Sequence, residues 1–173
     1  MSHLKKFRAA LAEKSADAAI IGSKLNQKYL SDFDFDDGFV LVTKGQSYLI
    51  TDFRYVEAGT EQRNTELEVL MPNIGMLTCM EELLRENGCR KVMIEEKTLS
   101  FADYGKYSEK LTGMELCSGA SALLEELRLY KDEKELETMA RAQAVTDAAF
   151  AHILNFIKPE MTEIEVALEL VFF

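Results

Sequence analysis

Proline is scarce in this 173-residue chain, with two, and glycine numbers nine. Set beside 47% hydrophobic and 29% charged residues, that scarcity excludes a disordered or low-complexity chain. Cys79, Cys89 and Cys117 are odd in number and form no Cys-x-x-Cys pair, which excludes a disulfide framework and predicts free, mostly buried thiols in a reducing cytoplasm. His3 and His152 lie far apart, without a His-Glu-x-x-His, so no transition-metal centre is expected within these residues. His152 sits in an apolar helical pattern and reads as a packed or half-exposed histidine. There is no Gly-x-Gly-x-x-Gly after a strand and no Gly-x4-Gly-Lys-Ser/Thr, the cradles that let backbone N–H groups approach nucleotide phosphates. No apolar run approaches the roughly 20 residues that span a bilayer. Positive charge is in deficit: 20 Lys and Arg against 30 Asp and Glu leave −10 and a pI near 4.8, which argues against nucleic acid or an anionic membrane as partner. The basic start at Lys5, Lys6 and Arg8 runs into Ala9-Ala10-Leu11-Ala12-Glu13-Lys14, too short and too charged for a signal-peptide core.

What is present is an alternation of two periodicities. Leu4, Phe7, Ala10 and Leu11 repeat at helical spacing, then residues 17–21 read as a short buried strand. A short helix or turn over 26–33 leads to the acidic loop Asp34-Phe35-Asp36-Asp37-Gly38. Residues 39–43 and 47–51 are β-branched and aromatic runs that predict a hairpin, its connection Lys44-Gly45-Gln46 relying on a positive φ at Gly45. Helix over 54–61 and strand over 66–71 follow. Beyond Pro72 come helix 76–87 stopped by Gly88, strand 91–94, helix 100–111 and strand 114–117. Such alternation predicts an α/β layer, a mixed sheet with helices on both faces, within residues 1–121. Ser118-Gly119-Ala120-Ser121 reads as a connector.

From there the pattern is helical, over 122–127 and then over 132–157, where Leu136, Met139, Ala140, Ala144, Ala148, Phe150, Ile153, Leu154 and Ile157 form a broad apolar stripe. Thr162 and Glu165 make a Thr-x-x-Glu capping box ahead of Ile164, Ala167, Leu168 and Val171. That last helix reaches Phe172-Phe173 with no C-cap signal, so residues 122–173 are expected to be a linker helix and the truncated start of a second domain. The apolar stripe is then expected to be exposed and to drive self-association.

Acidic clusters offer weak chemistry. Asp32, Asp34 and Asp36 alternate like calcium ligands, but Asp37 and Thr43 stand where an EF-hand needs Gly and Glu, so the loop reads as a solvated acidic turn. Glu81-Glu82, Glu95-Glu96 and Glu125-Glu126 are adjacent pairs that do not converge on one substrate and read as solvated helix or strand edges.

One segment is specific: Leu49-Ile50-Thr51-Asp52-Phe53-Arg54-Tyr55, a strand discharging into a charged turn. It resembles the amino-terminal domain of the creatinase, prolidase and X-Pro aminopeptidase family. Tyr29-Leu30-Ser31-Asp32-Phe33 is similar to that domain's Tyr-Leu-Thr-Gly-Phe, and Gly38-Phe39-Val40-Leu41-Val42 to its next strand. Glu126 to Leu136 resembles the junction Arg-x-x-Lys-x-x-x-Glu-Leu that opens the pita-bread metallopeptidase domain, and Pro159-Glu160-Met161-Thr162-Glu163 its Pro-Gly-x-Thr-Glu. Asp32 and Glu160 replace the family's usual glycines, and Asp takes positive φ less readily than Gly.

The resemblance implies a creatinase N-terminal-like, ribonuclease H-like layer, and a parent that hydrolyses the bond before proline in proline-containing peptides with a hydroxide on two divalent metals, manganese or cobalt. Their ligands, two Asp, one His and two Glu, are not recognisable here, so no catalytic and no metal residue is assigned. The implied role is non-catalytic: shaping substrate access and building a homodimer, in the cytoplasm. Arg54 is the candidate for a substrate carboxylate or acidic partner, or alternatively a structural salt bridge to Asp52 or a nearby carboxylate. Tyr55 is a candidate at the same edge or a packed aromatic with its hydroxyl bonded, and Phe33 lines the entrance or fills the core. The rival reading is a stand-alone α/β binding or scaffold module without peptidase activity, and a weaker one is a nucleotide-binding α/β protein.

Overall fold

Unbroken burial along the central strands decides the sheet: residues 18–21 and 47–51 are buried at every position. In a computed structural model of the chain, which describes residues 2–62 and 66–173, the first compact unit, Met1–Leu129, runs α1 (His3–Glu13), β1 (Ala18–Ile21), α2 (Lys24–Ser31), β2 (Gly38–Thr43), β3 (Ser47–Thr51), α3 (Val56–Gln62), β4 (Glu68–Leu70), α4 (Met76–Glu86), β5 (Lys91–Ile94), α5 (Phe101–Lys110), β6 (Glu115–Cys117) and α6 (Ala120–Leu129). The strands form one mixed sheet in the order β4-β3-β2-β1-β5-β6. β2 is antiparallel to both β1 and β3, with Ile20 opposite Leu41 and Val40 opposite Leu49, whereas β1–β5, β3–β4 and β5–β6 run parallel.

Successive side chains point to opposite faces of a strand, so each buried strand feeds two cores. Ala19, Ile21, Val40, Val42, Leu49 and Met93 face one side, covered by Leu4, Phe7 and Leu11 of α1, Leu30 of α2 and Leu123 and Leu124 of α6. Ala18, Ile20, Leu41, Ile50, Val92 and Ile94 face the other, covered by Met80 and Leu84 of α4, Tyr107 of α5 and Leu111, which caps α5. Helices therefore lie on both faces. β1 and its parallel neighbour β5 send their following helices, α2 and α5, to opposite faces, which opens a crevice at their carboxyl ends, the place where open α/β sheets hold ligands.

Three details depart from the sequence reading. Gly45 does not take a positive φ; the β2–β3 turn is closed by the Thr43 hydroxyl, which donates to the Gln46 carbonyl at 2.8 Å and accepts from the Gln46 N–H at 3.0 Å. Ala120 and Ser121, read as connector, are the buried first turn of α6. Glu95, read as a solvated edge, is 3% exposed. Its carboxylate accepts from the Gly22 and Ser23 N–H groups at 2.7 and 2.8 Å and from the Ser23 hydroxyl and the Asn26 amide, both at 2.6 Å. Asn26 in turn accepts from Arg128 at 3.1 Å, so one buried carboxylate ties β5 to the start of α2 and, through it, to α6.

Where the family pattern has glycine, Asp32 and Glu160 nonetheless hold φ of 58° and 73°, and Asp32 closes α2 in the left-handed conformation. The three cysteines are free, Cys89 buried and the others half-buried, and burial raises each thiol pKa.

The second unit, Tyr130–Phe173, is α7 (Glu133–Phe156) and α8 (Glu163–Phe172). Both open on capping boxes, Asp132 with Glu135 and Thr162 with Glu165, each satisfying orphan N–H groups reciprocally. His152 of α7 sits 2.6 Å from Glu169 of α8 and stacks on Phe173 at 4.6 Å. Of the apolar stripe on α7 only Ile153 is buried, while Leu136, Met139, Phe150, Leu154 and Ile157 are exposed. Among the described residues no helix is long and apolar enough to cross a membrane.

Candidate functional site

Arg54 stands at the corner where β3 ends and α3 begins, and the corner is built by Asp52. The Asp52 carboxylate accepts the Arg54 backbone N–H at 2.9 Å, a side-chain-to-backbone turn that folds the chain back on itself. The same carboxylate takes the Arg54 Nε–H at 3.0 and 3.2 Å, and Nη2 reaches both Asp52 and Asp37 of the preceding acidic loop. Arg54 thereby joins the exit of β3 to the entry of β2, and its guanidinium lies 5.3 Å from the centre of the Tyr55 ring.

Tyr55 points its hydroxyl at Asp36, at 3.4 Å, and rests edge-on against Phe33 and Phe35, both centroids 6.4 Å away. Phe33 is 6% exposed and belongs to the core, stacked on Phe35 at 5.7 Å; it supports Tyr55 from beneath. The structure thus brings Asp52, Arg54 and Tyr55 together at the surface and places Phe33 under them.

The acidic loop is clasped from both sides. Lys24 meets Asp36 at 2.6 Å and Asp34 at 3.6 Å, and Lys28 meets Asp34 at 2.9 Å. Lys28 lowers the Asp34 pKa, Lys24 that of Asp36 and Arg54 that of Asp52, while Asp52 and then Asp37 raise that of Arg54. Carboxylates held ionised and already paired are poor general acids or bases. What the corner offers is fixed charge and shape for recognition.

Sequence reasoning missed Phe53 as a surface feature. It is 77% exposed, beside half-exposed Met71, and a shallow groove of about 270 Å³ runs from Thr51, Asp52 and Phe53 to Met71, Pro72 and Asn73. The available signal was a phenylalanine in a two-residue break between a buried strand and a helix, where neither periodicity turns it inward. Within either compact unit, no three described His, Cys, Asp or Glu side chains converge closely enough to ligate a metal.

With the sheet order, both cores and this corner defined, comparison with known proteins gives the class. Residues 3–130 match the family described as the creatinase/prolidase N-terminal domain, and the chain belongs to that family. It is 29% identical over 170 residues to the uncharacterized peptidase YqhT of Bacillus subtilis, covering 98% of this chain and 48% of that protein. A putative Xaa-Pro aminopeptidase of Mycoplasma genitalium is 27% identical over 158 residues, 91% of this chain and 42% of that one. An Xaa-Pro dipeptidase structure from Bacillus anthracis superposes with a TM-score of 0.90 at 32% identity, over 98% of this chain and 47% of that one. The N-terminal domain of the cytoplasmic peptidase PepQ from Mycobacterium tuberculosis superposes with a TM-score of 0.63 at 26% identity, over 70% of this chain and 95% of that domain. The chain spans about half the length of the curated relatives it matches.

Proposed function

We propose that this chain is the non-catalytic N-terminal portion of a metal-dependent X-Pro peptidase, residues 1–121 forming the accessory α/β domain and 122–173 the linker helix and first helices of the catalytic domain. The observation that carries this reading is the match to an Xaa-Pro dipeptidase over 98% of this chain but 47% of the other. In the whole protein, two divalent metals, manganese or cobalt, would be held by residues outside this sequence, and the substrates would be proline-containing peptides in the cytoplasm. The exposed apolar residues of α7 and α8 would be covered by the remainder of the catalytic domain.

The accessory domain limits access to the active site and contributes to a homodimer. Arg54, Asp52 and Tyr55 are its recognition edge, with Phe53 presented beside them. Support comes from the guanidinium's posture: Nε and Nη2 are committed to Asp52 and Asp37 while the side chain keeps about half its exposure, leaving Nη1 to meet a carboxylate. Arg54→Ala in the full-length protein is expected to raise KM for a proline dipeptide about tenfold, the range for a lost charge-assisted hydrogen bond, with the melting temperature of the domain nearly unchanged. Unaltered KM and unaltered dimerisation would remove Arg54 from the reading. The coding sequence beyond Phe173 tests the whole of it, since it must supply Asp, Asp, His, Glu and Glu in that order.

A further inference from the structure

The crevice at the carboxyl ends of β1 and β5 holds a cavity of about 440 Å³, within the range of small-molecule sites and distant in sequence from the Arg54 corner. Its walls are mainly apolar: Ile20, Phe39, Leu77, Ile94 and Leu99, with Tyr107 set edge-on to Phe39 at 6.3 Å. Tyr107 is 5% exposed, yet its hydroxyl makes no hydrogen bond among the described residues. The hydroxyl oxygen is not among the buried unpartnered polar atoms, so it opens into the cavity, free to bond to something that enters.

Charge selects what enters. The ionisable groups on the walls besides Tyr107 are Glu95, Asp103 and Lys106, two acids and one base. Glu95 has its four hydrogen bonds from neutral donors, Asn26 among them carrying Arg128 behind it. Asp103 and Tyr107 are four residues apart on α5 and therefore on one face of the helix, and both line the cavity. Asp103 takes the Ser100 hydroxyl on one oxygen at 2.7 Å and is paired through the other with Lys106 at 2.6 Å, an exposed pair of the kind that contributes little and exchanges readily. An anionic ligand would meet two carboxylates, whereas a cation finds two acceptors and an aromatic wall.

We propose that this cleft binds a primary ammonium carried on a compact apolar or aromatic body, the ammonium bridging the Asp103 carboxylate and the Tyr107 hydroxyl oxygen, the body lying against Phe39, Leu77 and Leu99. A free amine and the amino terminus of a peptide share this chemistry. Titration of the chain with 2-phenylethylamine, followed by amide NMR shifts, tests it. Saturable shifts are expected at Phe39, Leu99 and Tyr107, weakened about tenfold in Tyr107→Phe, which keeps the ring and loses no protein hydrogen bond, and likewise in Asp103→Asn. The anion 3-phenylpropionate, with the same body, is expected to leave those amides unmoved. Shifts from Phe-Gly-Gly but not from its N-acetylated form would support the peptide terminus as ligand, and shifts from 2-phenylethylamine alone would support free amines. No shift at the cleft up to about 10 mM amine, equal binding of the anion, or undiminished binding in Tyr107→Phe overturns the proposal.

Discussion

Glu95→Gln lowers the stability of the first unit by about 3 kcal/mol, the scale of leaving buried donors without an acceptor. The wild-type carboxylate faces donors only. Oε1 takes the Ser23 hydroxyl and the Asn26 amide, and Oε2 takes the Gly22 and Ser23 backbone N–H groups. A glutamine keeps one oxygen, so its NH₂ group confronts either the two backbone N–H groups or the Asn26 amide, where only the Ser23 hydroxyl can turn to accept. The loss propagates because Asn26 also carries Arg128 from α6. The neighbouring Glu96, whose carboxylate accepts the Gly119 N–H at 2.9 Å from an exposed position, is the control, with an expected loss of about 1 kcal/mol in Glu96→Gln. Urea midpoints followed by far-UV circular dichroism compare the two, and equal midpoints would contradict the role given to Glu95.

Gly38→Ala is the second large effect, with an expected loss of about 3 kcal/mol or more. Gly38 has φ 150°, and an added Cβ would stand 2.2 Å from the Ile50 carbonyl oxygen and 2.9 Å from a Phe35 ring carbon. The oxygen is backbone of β3, whose ladder with β2 pairs Gly38 with Thr51, so it cannot retreat without opening the hairpin. That opening would also disturb Asp37, whose carbonyl accepts the Thr51 hydroxyl at 2.8 Å and whose carboxylate pairs with Arg54. Gly45→Ala makes the contrast: nothing lies within 4 Å of its Cβ direction and its φ is ordinary. There the smaller entropy of the unfolded chain favours the variant by a few tenths of a kcal/mol. Thermal melts of both variants decide, and a Gly38→Ala as stable as Gly45→Ala would refute the argument.

Local chemistry made much of this fold legible. The β-branched and aromatic runs 39–43 and 47–51 defined the hairpin, and Ser100, Asp132 and Thr162 marked helix starts that the structure places one residue before α5, α7 and α8. Arg54 was legible as a salt-bridging residue because Asp52 lies two positions away, although its second partner, Asp37, is brought in only by the hairpin. Glu95 was misread for the same kind of reason. Its donors lie 69 to 73 residues away, and no window around Lys91-Val92-Met93-Ile94-Glu95-Glu96 distinguishes a buried acceptor from a solvated end. The cleft was invisible likewise, since Phe39 and Tyr107 meet only after α5 has crossed to the face of the sheet that Phe39 occupies.

The account rests on a division of labour in which these residues recognise and restrict while chemistry is done by residues outside this sequence. Incubation of the purified 173-residue chain with Ala-Pro and excess manganese or cobalt tests that division most directly. The predicted result is no release of proline above the metal-only control, and no tight uptake of two metal ions; turnover of the dipeptide, or stoichiometric retention of two ions through gel filtration, would contradict it.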